Sequence, residues 1–189
     1  SLYTFSLENW RRPAAEVRAL MQFLRSALKS EFLELNENNI RLRAMGRLDM
    51  LPHATRRTLE RTIESLAANT GMILNLCISY GGRAEIVDAA KRAVAAVKDG
   101  EIDPAGMDET VFERYLYSPD LPDPDLLIRT SGEMRISNFM LWQVAYAEIV
   151  VTDVLWPDFR EQHLIGALRE YLGRERRFGG VARNRGRER

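Results

Sequence analysis

At 189 residues the chain is long enough for one domain with a full hydrophobic core. Its 27 Lys and Arg balance 27 Asp and Glu, which excludes a global field for nucleic acid, so any anion site must come from local clustering. The single cysteine, Cys77, excludes an internal disulfide and reads as a buried small hydrophobe in a reduced compartment. No apolar run approaches the ~20 residues of a bilayer span, and no signal-peptide pattern is present.

The chain opens inside an apolar strand, Leu2–Phe5, without a Met, a start that predicts further residues upstream. A polar turn, Ser6 to Pro13, leads into a helix with Glu16 in its first turn. Val17, Leu20, Met21, Leu24 and Leu28 recur there at helical spacing, and Phe32 and Leu35 extend the stripe. Such a stripe is either core or the wall of a hydrocarbon groove. Ile40 to Met45 alternates as a strand closed by Gly46, and a helix from about Pro52 to Ala68 carries Leu59, Ile63 and Leu66. Met72 to Ile78 is a strongly apolar strand. Tyr80-Gly81-Gly82-Arg83 turns it into a helix with Ile86, Val87, Ala90, Val94 and Val97 expected inward. A short helix near Asp108–Leu116 and a Pro-rich loop, Ser118–Pro124, precede the strand Leu126–Ile128. Pro157-Asp158 starts a last helix with Leu164, Leu168 and Leu172.

Strands and helices alternate, and the strands are nearly continuous in apolar residues. This predicts an α/β fold, a mostly parallel central sheet with helices on both faces, in a single domain over 1–180 with an Arg/Gly-rich tail at 181–189. Ligands bind beyond the carboxyl ends of strands in such sheets. Three polar turns fall there, Ser6–Arg12, Ser79–Arg83 and Arg129–Ser137, and could converge on one site. The third, Arg129-Thr130-Ser131-Gly132-Glu133-Met134-Arg135-Ile136-Ser137, lies between apolar runs and precedes a lone carboxylate, Glu148. Two arginines and several hydroxyls in a glycine-containing turn suit a phosphate-type anion; a solvated polar loop is the alternative. No dinucleotide fingerprint, Walker loop, H-E-x-x-H pair, metal-type Cys pair or G-x-S-x-G elbow is present. His53 and His163 are isolated on helices and read as surface or structural residues.

The segment Phe5-Ser6-Leu7-Glu8-Asn9-Trp10-Arg11-Arg12-Pro13 resembles the F-S-x-E-N-W-x-R-P loop of the cis-prenyltransferases. Ile128 to Phe139 resembles that family's I-R-T-G-G-E-x-R-x-S-N-F signature. Leu141-Trp142-Gln143, Ala145-Tyr146-Ala147-Glu148, Leu155-Trp156-Pro157-Asp158-Phe159, Asn75 with Tyr80-Gly81-Gly82-Arg83, and Arg176-Arg177-Phe178-Gly179-Gly180 also match. The Gly-Gly-Arg form makes the chain most similar to the bacterial undecaprenyl diphosphate synthases. The similarity covers essentially the whole chain.

The resemblance implies a cytoplasmic transferase that condenses farnesyl diphosphate with successive isopentenyl diphosphates into a long cis-polyprenyl diphosphate, the lipid carrier of cell-wall glycan synthesis. It implies a hydrophobic tunnel walled by the Val17–Phe32 stripe and the Met72–Ile78 strand, a homodimer, no nucleic-acid partner, and transient membrane contact for product release. Arg129, Arg135, Ser137 and the Ile136 backbone would bind isopentenyl diphosphate, and Glu148 would help hold Mg2+. Asn9 would stand where the isopentenyl proton is lost. An amide is a feeble base, so positioning suits it better, with a diphosphate oxygen or water taking the proton. Ser6, Leu7 and Glu8 would line the pocket, Trp10 would pack on the prenyl chain, Arg12 would face diphosphate, and Glu16 would belong to a closing segment. Arg177 and Gly179 would complete the neighbouring subunit's site.

Two departures stand out. Ser131 and Met134 replace the family's commoner Gly and a His of some members. The family's initial strand and its Asp-Gly-Asn-Gly-Arg loop, with a metal-binding aspartate, lie outside this sequence, so a protein starting at Ser1 is expected to be inactive. Two competing readings are a non-catalytic scaffold subunit and a nucleotide-binding α/β domain. The joint presence of Asn9, Arg129, Arg135, Ser137 and Glu148 argues against the first.

Overall fold

The computed structural model describes residues 1–174 and forms two compact units, Ser1–Leu121 and Pro122–Arg189. Arg177, Gly179 and the 181–189 tail lie outside the described residues. In the first unit, β1 (Leu2–Ser6), β2 (Arg41–Met45) and β3 (Ile73–Tyr80) pair parallel in the order β1-β3-β2. The central β3 is buried from Asn75 to Tyr80, as its apolar run requires. Leu42 lies opposite Leu74 and Ala44 opposite Leu76. On the other side Tyr3 pairs with Cys77 and Phe5 with Ile78, so one residue is slipped at Thr4. That irregularity lets Phe5 join Ile78 in the core, while the Tyr3 hydroxyl donates to the Tyr80 carbonyl at 3.3 Å.

Helix α1 (Ala14–Ser30) starts after Pro13 and buries Val17, Met21, Leu24 and Leu28. These pack with Leu59 of α3 (His53–Ser65) and with Phe5, Leu42, Leu66, Leu76 and Ile78 in one core. Phe32 and Leu35 do not continue α1. They lie in a separate helix, α2 (Phe32–Glu37), and pack at the core's edge. At the junction the Ser30 hydroxyl bonds the Ala27 carbonyl and the Glu31 carboxylate, local bonds that compete with helix continuation.

Helix α4 (Gly82–Lys98) presents a different face from the one its valines predict. Glu85, Ala89, Ala93 and Ala96 are buried, Ile86 and Val97 are partly covered, Ala90 is exposed, and Val87 and Val94 are 50% and 55% exposed. The Glu85 carboxylate explains the rotation: it accepts the Tyr80 hydroxyl at 2.5 Å and the Tyr117 N–H at 3.0 Å. A buried carboxylate must keep such partners, and the small alanines allow a close approach along the same stripe. The short α5 (Glu109–Glu113) is N-capped by Asp108, whose side chain accepts the Val111 N–H.

The second unit holds β4 (Leu126–Arg129) and β5 (Glu148–Val151), paired parallel with Leu126 opposite Glu148. The run carrying Glu148 is thus a fifth strand, and residues 130–147 make the crossover in turns rather than as a helix. Helix α6 (Glu161–Leu172) buries Ala167, whereas Leu164, Leu168 and Leu172 are 42%, 41% and 77% exposed. The chain is an α/β protein in which every described strand pairing is parallel.

Candidate active site

In the first unit the Ser6–Arg12 turn is a 3-10 helix, Leu7–Arg11. Ser6 and Asn9 cap it reciprocally: the Ser6 N–H donates to Asn9 Oδ1 at 2.9 Å and the Asn9 N–H to Ser6 Oγ at 3.3 Å. The Asn9 side-chain oxygen is therefore engaged inside its own loop, and Nδ2 is the end left to meet a ligand. Trp10 stands edge-on to Phe5 with ring centroids 5.1 Å apart, and its Nε1–H donates to Ser79 Oγ at 2.8 Å. Two of the three polar turns thus meet in this unit.

A concavity of about 300 Å³ opens beside Trp10, walled by Val17, Met21 and Pro52 with Arg12 and Arg18 on its lining. Arg12 is held by Glu16 at 2.7 Å, both half-exposed. An apolar wall carrying guanidinium groups suits a molecule with a hydrocarbon body and an anionic head. Glu8 is exposed, and Ser6 and Leu7 are partly buried. Arg18 was not singled out by any motif; its position one residue after Val17 on α1 was the available signal.

In the second unit Arg129 ends β4 and begins the Arg129–Ser137 turn. The Glu133 carboxylate bridges two guanidinium groups, one oxygen on Arg129 Nη2 and the other on Arg135 Nη2. Arg129 Nε is buried without a hydrogen-bond partner. An orphaned buried donor is rare and marks a place where a ligand oxygen would be satisfied. The backbone here is unusual as well: Ser131, Gly132, Ser137, Asn138 and Met140 all have positive φ. Such conformations gather at ligand-binding turns. Ser131 N–H donates to Val154 O at 3.0 Å and Gly132 N–H to Thr152 O at 2.9 Å, which ties the turn to the chain beyond β5. Ile136 is partly buried and Ser137 exposed.

Glu148 opens β5 and accepts Arg174 Nη1 at 2.8 Å, while Arg174 Nη2 reaches Glu170 at 2.5 Å. The Glu170–Arg174 spacing of four was legible as a helical ion pair; the cross-link from Arg174 to Glu148 was not. The isolated histidines behave as expected of structural residues, His53 exposed and His163 accepting the Arg160 N–H at 2.9 Å.

The model of a family described as putative undecaprenyl diphosphate synthase matches residues 1–179. The chain belongs to this family of prenyltransferases. An isoprenyl transferase of Bacillus subtilis (strain 168) is 51% identical over 181 residues, 96% of this chain and 70% of that protein. One from Chlorobaculum tepidum is 50% identical over 95% of the chain and 68% of its own length. Among solved structures, lavandulyl diphosphate synthase from Lavandula x intermedia in complex with dimethylallyl diphosphate superposes with a TM-score of 0.91. It shares 38% identity over 94% of this chain and 77% of that one. A probable undecaprenyl diphosphate synthase from Campylobacter jejuni gives 0.83 at 35% identity, covering 94% and 81%. The protein is a cis-prenyltransferase with the family's α/β fold, and chain elongation is the activity its family carries.

Prenyltransferase chemistry raises the question of a divalent cation. Among the described residues no group of three or more metal-ligating side chains assembles. Mg2+ needs no such cage, since it commonly takes one or two carboxylates with substrate phosphates and water. Glu148 fits the part of a single carboxylate donor, in competition with Arg174. Among the described residues no helix is long and apolar enough to cross a membrane.

Proposed function

We propose that this prenyltransferase condenses farnesyl diphosphate with successive isopentenyl diphosphates to make a long cis-polyprenyl diphosphate such as undecaprenyl diphosphate, for cell-wall glycan synthesis. The observation that carries the reading is the pair Arg129 and Arg135, gathered by Glu133, with the buried Nε–H of Arg129 left to a ligand oxygen. Arg129, Arg135 and Ser137, with the Ile136 backbone, hold the isopentenyl diphosphate through charge-assisted bonds. Trp10, Val17 and Met21 receive the allylic hydrocarbon beside Arg12, with Ser6, Leu7, Glu8 and Glu16 around the entrance. Asn9 orients the isopentenyl group through Nδ2 while a diphosphate oxygen or water takes the proton.

Glu148, with the substrate's own phosphates, would hold Mg2+, which when bound would stabilise the charge on the leaving diphosphate. Burial of each added isoprene along the apolar stripe, at about 25 cal/mol per Å², favours growth until a tunnel is filled. The enzyme works as a cytoplasmic homodimer in which Arg177 and Gly179 serve the partner's site, and it touches the membrane to release product.

The test is product analysis with farnesyl diphosphate, isopentenyl diphosphate and Mg2+, using the whole protein that carries this chain. Cis-polyprenyl diphosphates are expected. Arg129→Ala should raise the KM for isopentenyl diphosphate by at least tenfold, as loss of a charged hydrogen bond worth about 1.5–3 kcal/mol implies, and leave the KM for farnesyl diphosphate nearly unchanged. Equal effects on both substrates would reject the assignment.

A further inference from the structure

Ser79 lies in the buried part of β3, next to its last residue, in a conformation that L side chains rarely adopt. Its φ is +50°, it has no exposed surface, and its hydroxyl accepts the Trp10 Nε1–H at 2.8 Å. The backbone around it is held from the β2 side. Gly46 lies so close that a Cβ there would stand 2.0 Å from the Ile78 carbonyl oxygen, and the Arg47 N–H donates to the Ser79 carbonyl at 3.2 Å. A left-handed serine whose backbone is held from the β2 side is a rigid anchor, and strain of this kind persists where the surroundings over-determine it.

The anchored partner is only partly buried. Trp10 lines the concavity, whereas its Nε1–H is directed at the hydroxyl of a residue with no exposed surface. The effect of this bond is directional. The Phe5 edge contact limits one side of the indole and the Ser79 hydroxyl fixes where Nε1 points. Turning the ring over would break that bond. The orientation of the indole beside the concavity is therefore set by a residue 69 positions away on another element.

We propose that Ser79 is the positioning residue that sets the orientation of Trp10, and that this orientation determines how well the site accepts the hydrocarbon of its allylic substrate. The second half rests on the function proposed above; the first does not. No contact between Ser79 and substrate is required. The expected signature is selective, with affinity for the allylic diphosphate changed and affinity for isopentenyl diphosphate unchanged.

The experiment uses the whole protein carrying this chain, with every tryptophan other than Trp10 replaced by Phe, Trp142 and Trp156 among them. Ser79→Ala removes the acceptor, and Ser79→Gly removes it while relieving the left-handed backbone. Time-resolved anisotropy of Trp10 without ligand should gain a fast component in both variants. Titration calorimetry should show farnesyl diphosphate bound about three- to tenfold more weakly, the range expected for one lost hydrogen bond. Isopentenyl diphosphate should stay within about twofold of the parent on the same scale. In a Trp10→Phe background, which lacks the N–H, Ser79→Ala should have no further effect on farnesyl diphosphate.

Unchanged anisotropy in both variants would overturn the positioning role, even if urea stability fell. Freed indole motion with unchanged farnesyl diphosphate affinity would overturn the link to the substrate. A parent that binds isopentenyl diphosphate but no allylic diphosphate would instead overturn the functional reading, and anisotropy alone would then decide the role of Ser79.

Discussion

At the scale of single residues the second unit's turn is governed by one carboxylate. Two guanidinium groups brought together repel, and Glu133 offsets this by taking one Nη2 from each. In the function proposed above, its role is to aim the pair while the buried Arg129 Nε–H is kept for ligand. Glu133→Ala is expected to raise the KM for isopentenyl diphosphate about tenfold, a factor reduced for partial solvent exposure. Glu133→Gln should recover part of the loss, and steady-state kinetics would show it; an unchanged KM in both would remove Glu133 from the clamp. Neighbouring Ser131 departs from the glycine of the resembling signature, and its φ of +69° is one that glycine adopts without cost. Relief of left-handed strain is worth about 1–2 kcal/mol, against about 0.4–1 kcal/mol for the added freedom of an unfolded glycine. Ser131→Gly should therefore raise the urea midpoint modestly without changing the slope of the transition. A lower midpoint would show that the serine side chain stabilises the turn by more than its backbone strain costs.

At the scale of elements, the apolar stripe of α1 left two readings open, core or groove, and the structure divides them along its length. Val17 and Met21 are shared between the core and the concavity, whereas Leu24 and Leu28, 8% and 5% exposed, belong to the core alone. Leu28→Ala should accordingly cost about 2–4 kcal/mol of stability, measured by denaturant unfolding. Met21→Trp should instead obstruct the concavity and weaken farnesyl diphosphate binding at least tenfold in a protein that still folds. Equal behaviour of the two variants would mean the stripe is not divided in this way.

Periodicity made four of the five described strands, their parallel pairing and most helices legible, because apolar spacing reports the secondary-structure period directly. It misplaced the inward face of α4, because Glu85 is buried by hydrogen bonds to Tyr80 and Tyr117, partners that no local pattern announces. It also extended α1 across Glu31, where the Ser30 hydroxyl closes local bonds. The candidate site was legible as motifs. The Trp10–Ser79 and Glu148–Arg174 pairings were not, because each joins residues far apart in the chain.

At the scale of the whole molecule, 27 basic and 27 acidic residues leave no net charge to drive a pH response, so stability against pH is controlled by a few perturbed groups. Asp88 is held below the usual carboxylate range, first by its hydrogen bonds from Arg47 at 2.8 and 2.9 Å and then by the Tyr117 hydroxyl at 2.6 Å. Asp120 is lowered by Arg43. A depressed carboxylate contributes stability that is complete above its unfolded pKa of about 3.9 and is lost as pH falls through the lower folded value. The neutral groups act in the opposite direction. Burial pushes the Cys77 thiol from 9.0 up to about 12 and the Tyr3 hydroxyl from 10.0 up to about 12. Burial and then Asp88 raise Tyr117 as well.

For these three groups the folded state keeps its proton after the unfolded chain has lost it. Their stabilisation is therefore whole below pH 9 and declines as pH rises through the window up to the folded values. Cys77, with no exposed surface, should dominate, with a loss of about 2 kcal/mol between pH 9 and 11. Urea melts across that range should show the decline. Cys77→Ala should flatten it while lowering stability at pH 7, because the mutation removes the titrating thiol but leaves a gap in the packed strand. Tyr117→Phe should flatten the alkaline limb by a smaller amount and also shift the acid limb upward in pH, since Asp88 loses one of its donors. An alkaline limb unchanged by both substitutions would place the pH response elsewhere in the molecule.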